Sequence, residues 1–134
     1  MRVQCLVEQN SGAGSGKDLP MKLLDVLCEF NNCGPVMLEK KLKREKYRNL
    51  DFIKCFAPLS CNHLKNRQQL VYPDQISVLG ADQLFALRGY LDIRVDQYYY
   101  VKHKKKLKYP KLPCIVEYGG NNHCSFYPIE VLEL

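Results

Sequence analysis

A glycine- and asparagine-rich turn near the C-terminus constrains the fold of this chain more than any other feature. The turn, Gly-Gly-Asn-Asn at 119–122, joins two apolar runs at 114–118 and 123–127. Glycine and asparagine readily adopt the left-handed backbone that tight hairpins require, so the two runs are predicted to pair as antiparallel strands. A further strand is predicted over 129–134. The C-terminal part of the chain is therefore expected to be a β-sheet.

Helical spacing of apolar residues organises the region after Pro20. Leu23, Leu27 and Phe30 fall on one face of a predicted helix. A second amphipathic helix is predicted around Leu42, and its lysine-rich side is expected to face solvent.

Short strands are predicted in the middle of the chain. Apolar residues alternate over 50–56, which predicts a strand. Further strand-like pieces lie at 69–72, 75–79 and 84–87, separated by proline and glycine. This spacing of short strands is typical of a small barrel.

A third helix is predicted over 94–104, where Val95, Tyr98 and Tyr99 share one face. No repeat or linker divides the chain, so residues 1–134 are expected to form one domain, with a strand and a Gly/Ser loop within 1–19. The element order predicts a mainly β fold with α: an OB-like β-barrel with two N-terminal helices and a helical insertion.

The positive charge is concentrated in two places and favours a polyanionic partner. The formal net charge is +6, and nine tyrosines with no tryptophan add rings that can stack on bases. Neutralising phosphates releases condensed counterions, so basic clusters attract nucleic acid, although a solvated lysine face is the ordinary alternative. The first cluster consists of Lys40, Lys41, Lys43, Arg44, Lys46 and Arg48. The second consists of Lys102, Lys104, Lys105, Lys106, Lys108 and Lys111.

A nucleotide-hydrolysing function and a membrane location both fit poorly. The glycine-rich segment 10–17 has Ser11 where a phosphate loop begins with glycine, and Asp18 follows its lysine in place of the metal-binding hydroxyl. The sequence holds no apolar run of the ~20 residues that span a bilayer and no signal-peptide pattern. We therefore expect a cytoplasmic or nuclear protein.

The seven cysteines are expected to be small buried thiols, because an odd number does not suit a disulfide scaffold. A zinc site is the alternative, but its candidate ligands lack the paired spacing of common structural sites. Those candidates are Cys55, Cys61, His63, His123 and Cys124. No metal, cofactor or catalytic constellation is predicted.

A specific order of residues runs through the last part of the chain. It reads Gln-Tyr-Tyr at 97–99, Leu-Lys-Tyr-Pro-Lys-Leu-Pro-Cys-Ile at 107–115 and, after the glycine turn, Phe-Tyr-Pro-Ile-Glu-Val at 126–131. This order resembles the C-terminal half of the PAZ domain of Argonaute proteins. Residues 23–30 also resemble that family's first helix, whereas the region from 31 to 95 matches weakly.

The resemblance implies a PAZ fold, in which an OB-like barrel carries an inserted hairpin-plus-helix module, here at about 56–104. It implies a monomeric, non-catalytic fragment of a larger Argonaute protein that acts in RNA silencing beside that protein's other domains. The expected partner is the 3′ end of a small single-stranded RNA (siRNA, miRNA or piRNA-like) or of a duplex overhang, bound without sequence preference.

The resemblance also implies roles for individual residues. Tyr98 and His103 are expected to donate to terminal phosphates, and Phe85 to form a wall for the last nucleotide. His63, Arg67 and Gln69 are expected at nearby phosphates; His123, Ser125 and Tyr127 under the terminal base; and Lys102, Lys104 and Lys106 at upstream phosphates. For some of these residues a plainer alternative stays open: core packing for Tyr98 and Phe85, and solvation for His103 and the lysines.

Two departures from the family pattern leave a second function open. Gln69 stands where relatives have a phosphate-binding tyrosine, and His123 stands in for a lysine or arginine. The alternative is a protein-interaction module on a PAZ scaffold that has lost RNA binding.

Overall fold

The structure is a computed structural model that describes residues 21–61, 69–86, 91–119 and 124–134. The predicted N-terminal strand and Gly/Ser loop lie outside these residues. The helices are α1 (Leu23–Asn31), α2 (Pro35–Arg44), α3 (Lys46–Lys54) and α4 (Val95–His103). The strands are β1 (Leu59–Cys61), β2 (Gln69–Val71), β3 (Gln75–Gly80), β4 (Pro113–Tyr118), β5 (Cys124–Pro128) and β6 (Leu132–Glu133).

Helices α1 and α2 confirm the apolar spacing that predicted them. α1 buries Leu23 and Leu27 and ends at Asn32, whose left-handed backbone (φ 55°) is a conformation that asparagine tolerates. α2 starts at Pro35, where the missing N–H costs nothing, and buries Leu38 on its inner face.

The prediction of a strand over 50–56 is wrong, because residues 46–54 form helix α3. Alternation placed Ile53 on the outer face, yet Ile53 is fully buried together with Asn49 and Leu50. These positions lie three and four residues apart, which is the helical period rather than the period of two. Three helices rather than two therefore precede the first strand that the structure describes.

The described strands form two separate three-stranded antiparallel sheets, in the orders β2-β1-β6 and β3-β4-β5. The fold is thus mixed α/β, and a closed barrel is not formed by these strands. The predicted C-terminal hairpin is confirmed as β4 and β5, with Ile115 opposite Tyr127 and Glu117 opposite Ser125. The predicted last strand is shorter than expected, since Ile129–Val131 is a 3-10 turn before β6.

The region predicted as a strand over 84–87 instead fastens the start of α4. Phe85 forms an isolated bridge with Arg94, and the Val95 N–H donates to the Leu84 carbonyl at 2.8 Å. The Arg94 N–H donates to the Gln97 side chain at 2.9 Å, which satisfies one backbone donor at the helix start. The predicted third helix is therefore confirmed and is anchored where it begins.

The segment after α4 is held by the 3-10 turn that follows β5. The Glu130 carboxylate accepts the backbone N–H groups of Lys108, at 2.9 Å, and of Tyr109. Nearby, the Lys111 carbonyl oxygen would lie 2.5 Å from any Cβ at Gly80, so only glycine fits there without displacing the backbone. The Tyr-Pro-Lys-Leu-Pro stretch is thus fixed as part of the scaffold.

Candidate nucleic-acid interface

Three rings on α4 form the helix side of the candidate site. The ring of His103 lies 5.5 Å from that of Tyr98 and 5.0 Å from that of Tyr99. Tyr98 and Tyr99 are themselves 5.9 Å apart in an edge-to-face arrangement. The structure therefore brings the predicted pair, Tyr98 and His103, into contact across five residues of sequence.

Tyr99 faces inward and connects the helix to the sheets. It is only 3% exposed. Burial raises the pKa of its phenol far above the usual value, and the neighbouring Cys61, Tyr127 and Cys114 raise it further. These neighbours belong to β1, β5 and β4, and the hydrogen bond with Cys61 joins the side chain of Tyr99 to β1.

Tyr98 is intermediate between the core and the surface. It packs against the core without being buried in it, so the packing alternative describes part of its surroundings and the expected RNA contact stays a prediction. Its neighbour His103 is also half-buried; partial burial and the positive charge of Lys102 lower the pKa of the imidazole. His103 is therefore neutral at pH 7 before any anion approaches.

Four polar side chains form the sheet side of the site, and we call them the polar cluster: Gln69, Glu117, Ser125 and Tyr127. Gln69 Nε2 donates to Tyr127 Oη at 2.8 Å, and Tyr127 Oη lies 3.5 Å from Glu117 Oε1. Burial raises the pKa of Tyr127 and the Glu117 charge raises it further, while hydrogen bonds with Ser125 and Gln69 oppose this rise.

The hairpin register explains why the polar cluster faces one way. Glu117 lies opposite Ser125, and Tyr127 lies opposite Ile115. Directly opposed residues of an antiparallel pair point to the same face, as do residues two apart on one strand. The expectation that Ser125 and Tyr127 share a surface is consistent with this register, and Gln69 of β2 joins them.

For the remaining residues with an expected RNA contact, the structure gives an exposure or a general position only. Phe85 is 48% exposed and lies at the base of α4, so it is not a core residue. Lys102, Lys104 and Lys106 are exposed around the C-terminal end of α4. His63, Arg67 and His123 lie outside the described residues.

A cavity of about 770 Å³ lies on the other face of α4, away from Val95 and Tyr99. Its lining includes Gln97, Tyr100 and Val101 of the helix and, among the predicted contacts, Lys106. This cavity is therefore separate from the contact between Tyr98 and His103.

The described cysteines and acids suggest no metal centre. Within residues 21–61, 69–86, 91–119 and 124–134, no group of three or more His, Cys, Asp and Glu side chains could hold an ion. Two of the imagined zinc ligands, His63 and His123, lie outside those ranges. None of the helices in the described part of the chain is both long and apolar enough to cross a bilayer.

Glu117 and Tyr99 are the two site residues that were given no role from the sequence. Glu117 could have been found from the predicted hairpin, because alternation puts it on the same face as Ser125 and Tyr127. Tyr99 carried a signal as well, since it lies four residues after the apolar Val95.

The arrangement of helix, sheets and hairpin is that of a PAZ domain. Among solved structures, the fold matches the Drosophila Argonaute 2 PAZ domain, studied for its recognition of the 3′ end of nucleic acids, with a TM-score of 0.59 and 14% identity. The match covers 88% of this chain and 96% of that one. The chain therefore has the fold of Argonaute PAZ domains.

A second solved structure with this fold is a Drosophila Argonaute PAZ domain in complex with 3′-end 2′-O-methylated RNA. The TM-score is 0.56 and the identity 16%, over 87% of this chain and 98% of that one. No family model matches the sequence. The low identities fit a divergent member of this fold group.

Proposed function

We propose that this domain binds the 3′ end of single-stranded RNA at the surface formed by α4 and the polar cluster, without sequence preference and without catalysis. The proposal is supported by two groups of side chains that Tyr99 connects: Tyr98 and His103, whose rings contact that of Tyr99, and Gln69 with Tyr127, whose charge acts on Tyr99. The two groups come from distant parts of the chain, α4 and the sheets.

The chemistry of the groups suits a nucleic-acid terminus. Tyrosine and protonated histidine donate to phosphate oxygens, and hydrogen bonds with a charged partner are stronger than neutral ones. The half-exposed Phe85 offers a ring on which a base can stack with a gain of about 1–3 kcal/mol, whichever base it is. The exposed lysines at the end of α4 supply a path for the upstream backbone.

The wider biological setting follows from the same proposal. The domain would belong to a larger Argonaute-type protein and hold the end of a guide RNA or of a duplex overhang during RNA silencing. It would act as a monomeric anchor, whereas cleavage would be performed elsewhere in the parent protein.

A titration with paired RNAs tests the proposal. A labelled single-stranded RNA with a free 3′ end is compared with the same RNA whose 3′ end carries a bulky uncharged alkyl group. We expect the free end to bind severalfold more tightly, because the blocking group does not fit a pocket for one terminus.

The outcome also separates the two functions that the sequence leaves open. A protein-interaction module that has lost RNA binding would bind neither RNA. Equal affinity for the two RNAs would contradict end recognition and would indicate a general basic surface.

A further inference from the structure

Glu117 places a carboxylate in a surface otherwise suited to an RNA terminus. Its Oε2 atom accepts the Tyr72 backbone N–H at 2.9 Å, which fixes the side chain, and its Oε1 atom lies 3.5 Å from Tyr127 Oη. The carboxylate is therefore held among the hydroxyls of the polar cluster rather than projecting freely into solvent.

The position of Glu117 is built into the hairpin. It lies opposite Ser125 in the β4–β5 register, and both side chains point to the face that carries Tyr127. The fixed side chain would face a terminus bound at Ser125 and Tyr127 without a large rearrangement.

An ionised carboxylate repels a phosphate that is bound next to it. An ionised carboxylate only accepts hydrogen bonds, through about four lone-pair positions on its two oxygens. A ribose hydroxyl can donate to it, whereas a terminal phosphate carries a charge of about −1.5 to −2 at pH 7 and can only repel it when ionised.

We infer that Glu117 makes this site select an RNA terminus that ends in free ribose hydroxyls over one that ends in a phosphate. The inference rests on the proposed 3′-end binding and adds a specificity-determining residue to it. The basic groups of α4 would hold the internal phosphates, and the carboxylate would reject a phosphate at the last position.

The test compares two RNAs of one sequence, one ending in a 3′-hydroxyl and the other in a 3′-phosphate, with the wild-type domain and Glu117→Gln. The glutamine oxygen can still accept the Tyr72 N–H, so the fold is expected to remain. We expect the wild type to prefer the hydroxyl end by about tenfold, as for a repulsion of one to two charges near the surface. Glu117→Gln should lose most of this preference, mainly through tighter binding of the phosphate end.

Asp74→Asn is a matched control. Asp74 also accepts a backbone N–H next to β4, that of Tyr118 at 2.8 Å, and the variant removes the same single charge. It should change the affinity for both RNAs equally and leave their ratio as in the wild type.

Three results would overturn the inference. If Glu117→Gln keeps the wild-type ratio, or if Asp74→Asn lowers it equally, Glu117 does not select the terminus, while binding of the hydroxyl-ended RNA still upholds the proposed function. If the wild-type domain binds neither RNA, the proposed function and the inference fall together.

Discussion

The two sides of the candidate site are held in different ways. On the sheet side, Tyr127 is 7% exposed and its hydroxyl is fixed by Gln69 at 2.8 Å. On the helix side, Tyr98 and His103 are half-buried and meet through their rings at 5.5 Å. Hydrogen bonds fix direction, whereas ring contacts allow small rotations at low cost. The sheet side is therefore suited to specificity for the terminus, and the helix side to adjustable contact with phosphates.

Tyr99 joins the two sides, so Tyr99→Ala tests whether they depend on each other and should have the largest effect. Removing a buried aromatic ring costs about 3–5 kcal/mol of unfolding free energy. Tyr100→Ala is the control on the same helix, because Tyr100 is 60% exposed and its loss should stay within about 0.5 kcal/mol. Urea denaturation measures both. If Tyr99→Ala and Tyr100→Ala lost the same unfolding free energy, Tyr99 would not couple the helix to the sheets.

Replacing Lys102, Lys104 and Lys106 by alanine tests the electrostatic part of the helix side. If these lysines neutralise about three phosphates, log K should fall with log[salt] at a slope near −2 in the wild type and near zero in the variant. Affinity is measured by titration across a range of salt concentrations.

A charge-matched triple variant, with Lys40, Arg44 and Lys46 replaced by alanine, provides the control on α2 and α3. It should keep most of the wild-type slope. A similar reduction in both variants would show that the attraction is a property of the net charge and not of α4.

Tyr98→Phe removes the hydroxyl group on the helix side and keeps the aromatic ring, so it tests the two contributions separately. A hydrogen bond to a charged group contributes about 1.5 kcal/mol or more, so RNA affinity should fall about tenfold while the thermal midpoint stays unchanged. Tyr100→Phe removes a hydroxyl from the opposite face and should change neither quantity. Unchanged affinity in Tyr98→Phe would leave this tyrosine with a packing role alone.

A pH titration of binding should give the smallest effect, through His103. The pKa of His103 is lowered from 6.5 by partial burial and by Lys102, so the imidazole of the unbound domain is neutral at pH 7. A bound phosphate favours the protonated form, so binding takes up a proton and affinity rises as the pH falls below 7. The rise levels off once the pH passes below the pKa of the unbound domain.

The control for this titration is His103→Gln, measured over the same pH range. We expect a severalfold gain between pH 7.5 and 5.5 in the wild type and a smaller gain in the variant. The chain has two other histidines, His63 and His123, and a full gain in His103→Gln would assign the proton uptake to them.

The spacing of apolar residues and the composition of turns correctly predicted those helices and strands whose sequence fits only one type of structure. The turn before β5 has the composition of a hairpin, and α1 carries Leu23 and Leu27 at helical spacing. Helix α3 could not be found in this way, because Leu50 and Phe52 fit an alternating pattern while burial of Asn49 and Ile53 follows the helical one. A short segment that matches both periods is decided by its tertiary contacts.

The candidate site was predictable in its helix side and less so in its sheet side. Tyr98 and His103 come from one short stretch of sequence, and Tyr99, which lies four residues before His103, contacts both of their rings. The bond from Gln69 to Tyr127 joins residues 58 positions apart, and no local pattern encodes that pairing. The carboxylate of Glu117 enters the same group only through the register of β4 with β5.

The hydrogen bonds from the backbone of Lys108 and Tyr109 to Glu130 have a consequence for how such domains diverge. This contact, the burial of Leu112 and the close approach at Gly80 maintain the architecture. Selection for a stable domain alone would preserve these residues, whereas selection for ligand binding would preserve Tyr98 and the polar cluster. The two sets are under separate constraints, so the most recognisable segment of the sequence records the fold rather than the ligand.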